Sequence, residues 1–464
     1  MFPQYSEEFD HSLKKFESML RTNDTLFFDT DEFEQIISYY IDESKFNLAK
    51  KALKVALEQH PDAFIILMMK AELLIIDDEN ESAMTLLDHL EVLEPQNEEV
   101  GLMKANLLSK LNRHEASIQL LEQLLDFCTD SNEIYSLLGV EYLLIDDYES
   151  ANECYKQCVA LDPHDHTALY NVVFCYDFMD QQEKAVEYLL DFIEKEPYSE
   201  IAWHQLGNIY KDLGKEQKAL EAYEYALISD EYFVGAYLEK AKLLEQKQAY
   251  HKAIENYKIT LQLDDPTAFV YHRIGRCFEA LGENAKASQW YKKALHEDPM
   301  FDKAWMSMTQ LHMKKGSLDK ALHFINKAIS LDDENTAYWE NYALINKKLG
   351  NVSEAEYGMK RSEALLDDQA DYLLADIDEV IFAEEYEEAL LMLEDAHESF
   401  DNSSEVHYRL AGVYFMLNKI ERSVYHLQLA HDINPEKIEV FETLFPVIFA
   451  PENFKLLMDA FDEM

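Results

Sequence analysis

One period, of about 34 residues, constrains this chain more than any other feature. The phrase Ala202-Trp203-His204-Gln205-Leu206-Gly207-Asn208-Ile209-Tyr210 is followed by Ala219, Tyr223 and Ala226. A similar phrase, Phe269-Val270-Tyr271-His272-Arg273-Ile274-Gly275-Arg276-Cys277-Phe278, is followed by Ala287, Tyr291, Ala294 and Pro299. The shift from Gly207 to Gly275 is twice the period, and a weaker copy with Tyr237, Ala241, Leu244, Ala253 and Tyr257 lies between. Such a period means one small supersecondary unit repeated, each burying its apolar face on its neighbours, so that length adds units rather than cores.

The phase rests on prolines. Pro61, Pro95, Pro163, Pro197, Pro299 and Pro435 are separated by whole multiples of the period, and the intervening slots hold Thr129, Glu231, Asp265, Asp333, Asp367 and Asp401. Proline there ends a helix, because it cannot continue the hydrogen-bond ladder. A second register is small: Ala49, Ala83, Ser117, Ala151, Ala185, Ala219, Ala253, Ala287, Ala321, Ala355, Ala389 and Ser423. A large side chain there would push two helices apart, since interiors are packed without slack. A third register reads Ser44, Asp78, Asn112, Asp146, Asp180, Gly214, Gln248, Gly282, Gly316, Gly350, Glu384 and Asn418. Gly and Asn favour the left-handed backbone that ends a helix, and Asp tolerates it.

With these registers the chain resembles the tetratricopeptide repeat family, whose helix-turn-helix unit has this same period. The resemblance implies an all-α fold: a right-handed α-solenoid superhelix of about twelve units, spanning residues 30–437. Residues 1–29 stand outside the repeat, and Phe9, Leu13, Phe16 and Leu20 at helical spacing predict an N-terminal capping helix. Residues 438–464 are expected to close the other end as C-terminal capping helices, with Phe454, Leu457, Met458 and Phe461 as one apolar stripe. Ile37, Ile377, Thr309 and His312, together with Gly101 at a site usually large, depart from the pattern and predict looser packing in their repeats.

Charge excludes some partners. Against 41 Lys and Arg stand 91 Asp and Glu, a formal −50. Phosphate backbones and anionic membranes need clustered cations, so neither nucleic acid nor membrane insertion is expected. The longest apolar run, Ile65 to Ile76, is interrupted by Lys70 and Glu72 and is too short to span a bilayer. Five scattered cysteines without a Cys-x-x-Cys, and an N-terminus without a basic, apolar leader pattern, lead us to expect a cytoplasmic protein.

No phosphate-binding loop, nucleophile elbow or zinc-protease helix motif is present. Cys154 with Cys158, and His164 with His166, lack the further converging ligands a metal needs. No catalytic residue, metal or cofactor is therefore expected, and the chain reads as non-enzymatic.

What remains is surface. In the family, the first helix of each repeat lines a concave groove, and positions 2, 5, 9 and 13 of the repeat share one helical face. In repeats four and five this face is apolar, with Ser136, Val140 and Leu144, then Tyr170, Phe174 and Phe178. Core duty in the latter helix falls to Leu169, Val172, Val173 and Tyr176, which leaves a second apolar face over. In repeats six to nine the face turns polar and basic: His204, Asn208, Lys242, His272, Arg276, Lys303 and Lys314, flanked by Arg273 and Gln310. From Val234 to Gly316, 13 Lys and Arg stand against 10 Asp and Glu, whereas Ser362 to Tyr408 has no cation and 16 acidic residues. Some relatives grip a chaperone's C-terminal carboxylate with a Lys-Asn-Asn-Lys-Arg clamp. Here Asn208 and Arg273 match it, but His204, Glu239 and Phe269 stand at the other three places, so a standard clamp is not expected.

The resulting expectation is an adaptor that binds a protein or peptide segment, with apolar anchors and acidic groups, in its groove. Two alternatives are a structural subunit of a larger complex, using outer faces or end caps, and a regulator of a partner enzyme.

Overall fold

Twelve of the described residues have a left-handed backbone conformation, and they fall one period apart. The computed structural model describes residues 7–22, 26–128, 130–265, 267–400, 403–450, and 453, 455 and 457. Among these, positive φ occurs at Ser44, Asp78, Asn112, Asp146, Asp180, Gly214, Gln248, Gly282, Gly316, Gly350, Glu384 and Asn418, between 55° and 82°. The turn register expected from the sequence is thus the turn register of the backbone. Thr129 and Asp401, two of the slots without proline, lie outside the described residues, as do Phe454, Met458 and Phe461.

The chain divides into two compact bodies, Met1–Lys247 and Gln248–Met464. The first holds α1 (Glu7–Thr22), α2 (Thr30–Asp42), α3 (Phe46–Gln59), α4 (Phe64–Ile76), α5 (Asn80–Leu93), α6 (Glu98–Lys110), α7 (His114–Leu124), α8 (Ser131–Leu144), α9 (Tyr148–Leu161), α10 (His166–Phe178), α11 (Gln182–Lys195), α12 (Glu200–Asp212), α13 (Glu216–Ser229) and α14 (Val234–Gln246). The second holds α15 (Tyr250–Leu263), α16 (Ala268–Ala280), α17 (Asn284–Glu297), α18 (Asp302–Lys314), α19 (Leu318–Leu331), α20 (Thr336–Leu349), α21 (Val352–Phe382), α22 (Tyr386–Ser399), α23 (Ser404–Met416), α24 (Ile420–Ile433) and α25 (Ile438–Leu444). Among the described residues there is no strand, and no helix is long and apolar enough to cross a membrane. The fold is all-α, an α-solenoid of stacked helix pairs in each body.

Each pair is made by local chemistry. At the turn, two backbone bonds close the first helix: Ser44 N–H donates to Ile41 O at 2.8 Å and Lys45 N–H to Tyr40 O at 2.7 Å. The same two bonds recur at Gly214 and Lys215, and at Asn418 and Lys419. They satisfy carbonyls that a helix end otherwise leaves open. The second helix ends on an extended residue, such as Asp162 before Pro163 (φ −132°, ψ 98°). Asp332, which precedes an aspartate rather than a proline, has nearly the same geometry (φ −144°, ψ 94°). Side chains of Asp29, Asn97, Asp165, Ser199, Thr267 and Ser403 then cap the next first helix. Trp203, Trp305 and Trp339 each donate their indole N–H to the carbonyl six residues earlier, at 2.8–3.0 Å, pinning the linker to the helix that follows it.

One joint departs from this scheme. The Asp367 slot does not break the chain, and α21 runs through it for 31 residues. Asp367-Asp368-Gln369-Ala370 offers no proline, glycine or capping hydroxyl to stop a helix that Gln and Ala readily propagate.

The small register sits at the helix crossings. Every member is 0–6% exposed. Where serine replaces alanine, the hydroxyl finds a carbonyl on the facing helix: Ser117 donates to Ala105 O at 3.0 Å and Ser423 to Ala411 O at 2.6 Å. Glycines on the first helix answer tyrosines on the second. A Cβ on Gly139, Gly207 or Gly275 would lie 2.5–2.6 Å from the ring of Tyr155, Tyr223 or Tyr291. The looser packing expected at Gly101 is not seen at that site: Leu124 fills the space, 2.5 Å from where a Cβ would stand. Ile37, Ile377 and Thr309 are fully buried.

Phe9 and Phe16 of α1 are buried against the first pair, where Phe16 meets Phe28 edge-on at 5.8 Å. At the other end Phe441, Phe445, Ile448 and Leu457 join the core of α22, α23 and α24.

Two outcomes are expected. A left-handed L-residue costs about 1–2 kcal/mol, while glycine loses about 0.5–1 kcal/mol more entropy on folding. Glu384→Gly should therefore raise the urea midpoint by the equivalent of about 0.5–1 kcal/mol; an unchanged or lower midpoint would show a relaxed turn. Gly207→Ala should destabilise by about 1–3 kcal/mol through overpacking on Tyr223. Adding Tyr223→Leu should recover most of that loss, as in the natural Ala105 and Leu121 combination.

Candidate functional site

Helix α10 carries its apolar core on one side and three aromatic rings on another. Leu169, Val172 and Tyr176 are buried, whereas Tyr170, Phe174 and Phe178 are 38%, 44% and 58% exposed. Phe178 stacks on Tyr148 of α9 at 4.7 Å and 17°, and Phe174 leans on Phe178 at 4.7 Å. On α8, Val140 and Leu144 are also exposed. Beside the aromatic row lies a pocket of about 360 Å³ between α10 and α12, lined by Tyr170, Phe174, Asp177, Gln205, Asn208 and Asp212 among others. Asn208 is held in place there. Its Oδ1 accepts from the Tyr223 hydroxyl at 2.9 Å, and its Nδ2 donates to Gln205 Oε1 at 3.3 Å. The structure thus brings together Tyr170, Phe174 and Asn208. Gln205, Asp177 and Asp212 were not among the expected site residues, although Asp212 occupies position 13 of its repeat.

The basic residues are divided in their use. In the first body Lys242 donates to Glu239 Oε1 at 2.7 Å and Lys211 to Glu239 Oε2 at 3.1 Å. Burial pushes the Glu239 pKa up, but these two ammonium groups outweigh it and hold the carboxyl below its usual value. In the second body Lys314 donates to Glu279 Oε1 at 2.6 Å, and the Tyr291 hydroxyl donates to Glu279 Oε2 at 2.7 Å. Arg273 donates from Nε to the Tyr257 hydroxyl at 3.2 Å, and its guanidinium lies 5.7 Å over the Phe269 ring. Arg276, Lys303 and Gln310 are exposed. The positive charge counted from the sequence is therefore answered by carboxylates at Lys242 and Lys314, and is exposed at Arg276 and Lys303.

His204 and His272 are placed inside rather than on an open face. His204 packs edge-on against Phe233 at 5.2 Å and against Tyr223 at 5.9 Å. His272 repeats the arrangement two units further on, with Phe301 at 5.4 Å and Tyr291 at 5.5 Å. The His272 Nε2 is 2.8 Å from the Ser307 hydroxyl. At the equivalent place in the first body stands Glu239, engaged with its two lysines, and neither ring nitrogen of His204 has a hydrogen-bond partner among the described residues. Burial lowers both imidazoles to about 4, against the opposing charge of Glu239 at His204 and with the help of Arg276, Arg273 and Lys303 at His272. The shared His-x-x-Gly spacing, answered by Tyr223 after Gly207 and by Tyr291 at the same distance after Gly275, was a legible signal of this packing.

Among the described residues no group of three or more His, Cys, Asp or Glu side chains is placed to hold a metal ion. Burial raises the Cys154 thiol to about 12 and Cys158 and Cys175 to about 11, so all three stay protonated at neutral pH.

Pairs of helices with a small residue at each crossing define an α-solenoid. A tetratricopeptide repeat model matches residues 270–299 and 302–335, and a model of the second ARM domain of tetratricopeptide repeat protein 21 matches residues 81–222. The chain carries tetratricopeptide repeats. Similar solved structures include MamA from Desulfovibrio magneticus RS-1, 18% identical over 37% of this chain and 97% of that one, with a TM-score of 0.34. YrrB, described as a TPR protein with an unusual peptide-binding site, is 18% identical over 40% of this chain and 95% of its own, with a TM-score of 0.34. The Cut9–Hcn1 structure is 14% identical over 95% of this chain and 99% of that one, with a TM-score of 0.32. No curated protein matches in sequence.

The buried imidazoles carry a pH signature. Above 6.5 His204 is neutral in both states; as the pH falls towards 4 the unfolded chain binds a proton that the folded ring refuses, so stability is lost across that window and not below it. His204→Phe, which keeps a ring against Phe233 and Tyr223, should lose less stability between pH 6.5 and 4 than the wild type. Equal slopes in urea titrations would mean that the folded ring accepts its proton.

Proposed function

We propose that this protein is an interaction scaffold that binds a segment of another protein along the first helices of its repeats and performs no chemistry of its own. The observation that carries this reading is the exposed row of Tyr170, Phe174 and Phe178 beside a pocket, on a helix whose core contacts are already met by other residues. Three aromatic rings left in water on one face are costly unless something covers them. The segment docks apolar anchors on that row. In the second body, exposed Arg276 and Lys303 offer charge-assisted hydrogen bonds to acidic groups of a ligand. The overall excess of acid makes nucleic acid a poor partner.

A second reading has an observation of its own: Val447 and Phe449, near the C-terminal end, are exposed. A structural subunit of a larger complex would use such an end rather than the helix faces.

Affinity purification followed by mass spectrometry separates the two. Tyr170→Ala with Phe174→Ala should lose the captured partner at least tenfold, with the unfolding midpoint little changed because both rings are exposed. Arg276→Glu with Lys303→Glu should weaken capture of an acidic partner. Capture that survives both pairs but fails with Val447→Glu and Phe449→Glu would favour the end-docking reading.

A further inference from the structure

We propose that the pocket between α10 and α12 receives a basic side chain, lysine or arginine, of the bound segment; the inference rests on the scaffold reading above. Tyr170 and Phe174 form its apolar wall, and Asp177 and Asp212 also line it, both exposed; Asp177 Oδ1 accepts from the Gln182 side chain at 3.4 Å, which leaves its other oxygen for a ligand. Among the described residues no lysine or arginine lines it. The nearby ammonium of Lys211 is 3.1 Å from Glu239 but 4.0 Å from Asp212, so its first commitment lies elsewhere.

This combination selects for charge. An acidic anchor would meet two like charges. A neutral apolar anchor would strip water from two carboxylates and return nothing to them. A lysine or arginine satisfies both walls at once: its methylene stem lies along the rings, its cation faces the π-system, and its N–H groups donate to the aspartates. Asn208, fixed by the Tyr223 hydroxyl and Gln205, presents a set amide to a passing backbone. The net charge of −50 draws a basic segment towards the surface before any contact forms. The first body therefore recognises a residue of opposite sign to those that exposed Arg276 and Lys303 recognise in the second.

The test uses the full chain and a phage-displayed library of random dodecapeptides, panned on the wild type and counter-screened on Tyr170→Ala with Phe174→Ala. Peptides lost in the counter-screen should be enriched in lysine or arginine next to an apolar residue. For such a peptide, changing its basic residue to methionine should weaken binding about tenfold to the wild type and leave binding to Asp177→Asn with Asp212→Asn unchanged. Aromatic-dependent peptides with no basic residue, or an equal loss in both backgrounds, would overturn the inference and leave the scaffold reading intact. If no recovered peptide depends on Tyr170 and Phe174, both fall. Circular dichroism of each variant separates lost binding from lost folding.

Discussion

How closely the two helices of a repeat can approach governs nearly everything else in this structure. A side chain no larger than alanine or serine at each crossing sets the distance, and the interior offers no slack in which to set it differently. Once that distance is fixed, the rings of Tyr155, Tyr223 and Tyr291 leave no room for a Cβ on Gly139, Gly207 and Gly275, whereas alanine stands in the same register at Ala105 with Leu121 and at Ala241 with Tyr257. The left-handed turn then decides the direction in which the second helix leaves. These contacts also determine which face of each first helix remains in water, and so where recognition can take place.

The parts of the fold that were legible in the sequence are those decided locally. A residue such as Asp146 or Gly282 is chosen for the backbone angles it tolerates, and those angles do not depend on distant neighbours. The fused helix α21 was not legible, because the Asp367 slot looks like Asp333 when single positions are compared. The difference lies immediately downstream, with Glu334-Asn335 in one case and Asp368-Gln369 in the other.

The candidate site was less legible, and the reason is distance along the chain. Lys314 finds Glu279 35 residues earlier, and Lys211 finds Glu239 28 residues later, so each cation meets its carboxylate in an adjoining repeat. Reading one helical face at a time counts charges without seeing these pairs. The same limit applies to His204 and His272, which occupy a groove position yet turn towards Phe233 and Phe301, 29 residues further on at the far end of the same repeat. Tyr170 and Phe174 behave differently at positions of the same kind, because Leu169, Val172 and Tyr176 already supply that helix with its core.

The uninterrupted helix Val352–Phe382 has a mechanical consequence. At Asp264, Asp298 and Asp332 in the second body successive pairs are joined through an extended residue, where a few degrees of dihedral rotation can accumulate into a hinge. Across α21 no such pivot exists, and a sharp bend there would break main-chain hydrogen bonds of the rod itself. The pairs on either side are splinted together, so the angle between them is set by a continuous helix rather than by a single linker residue.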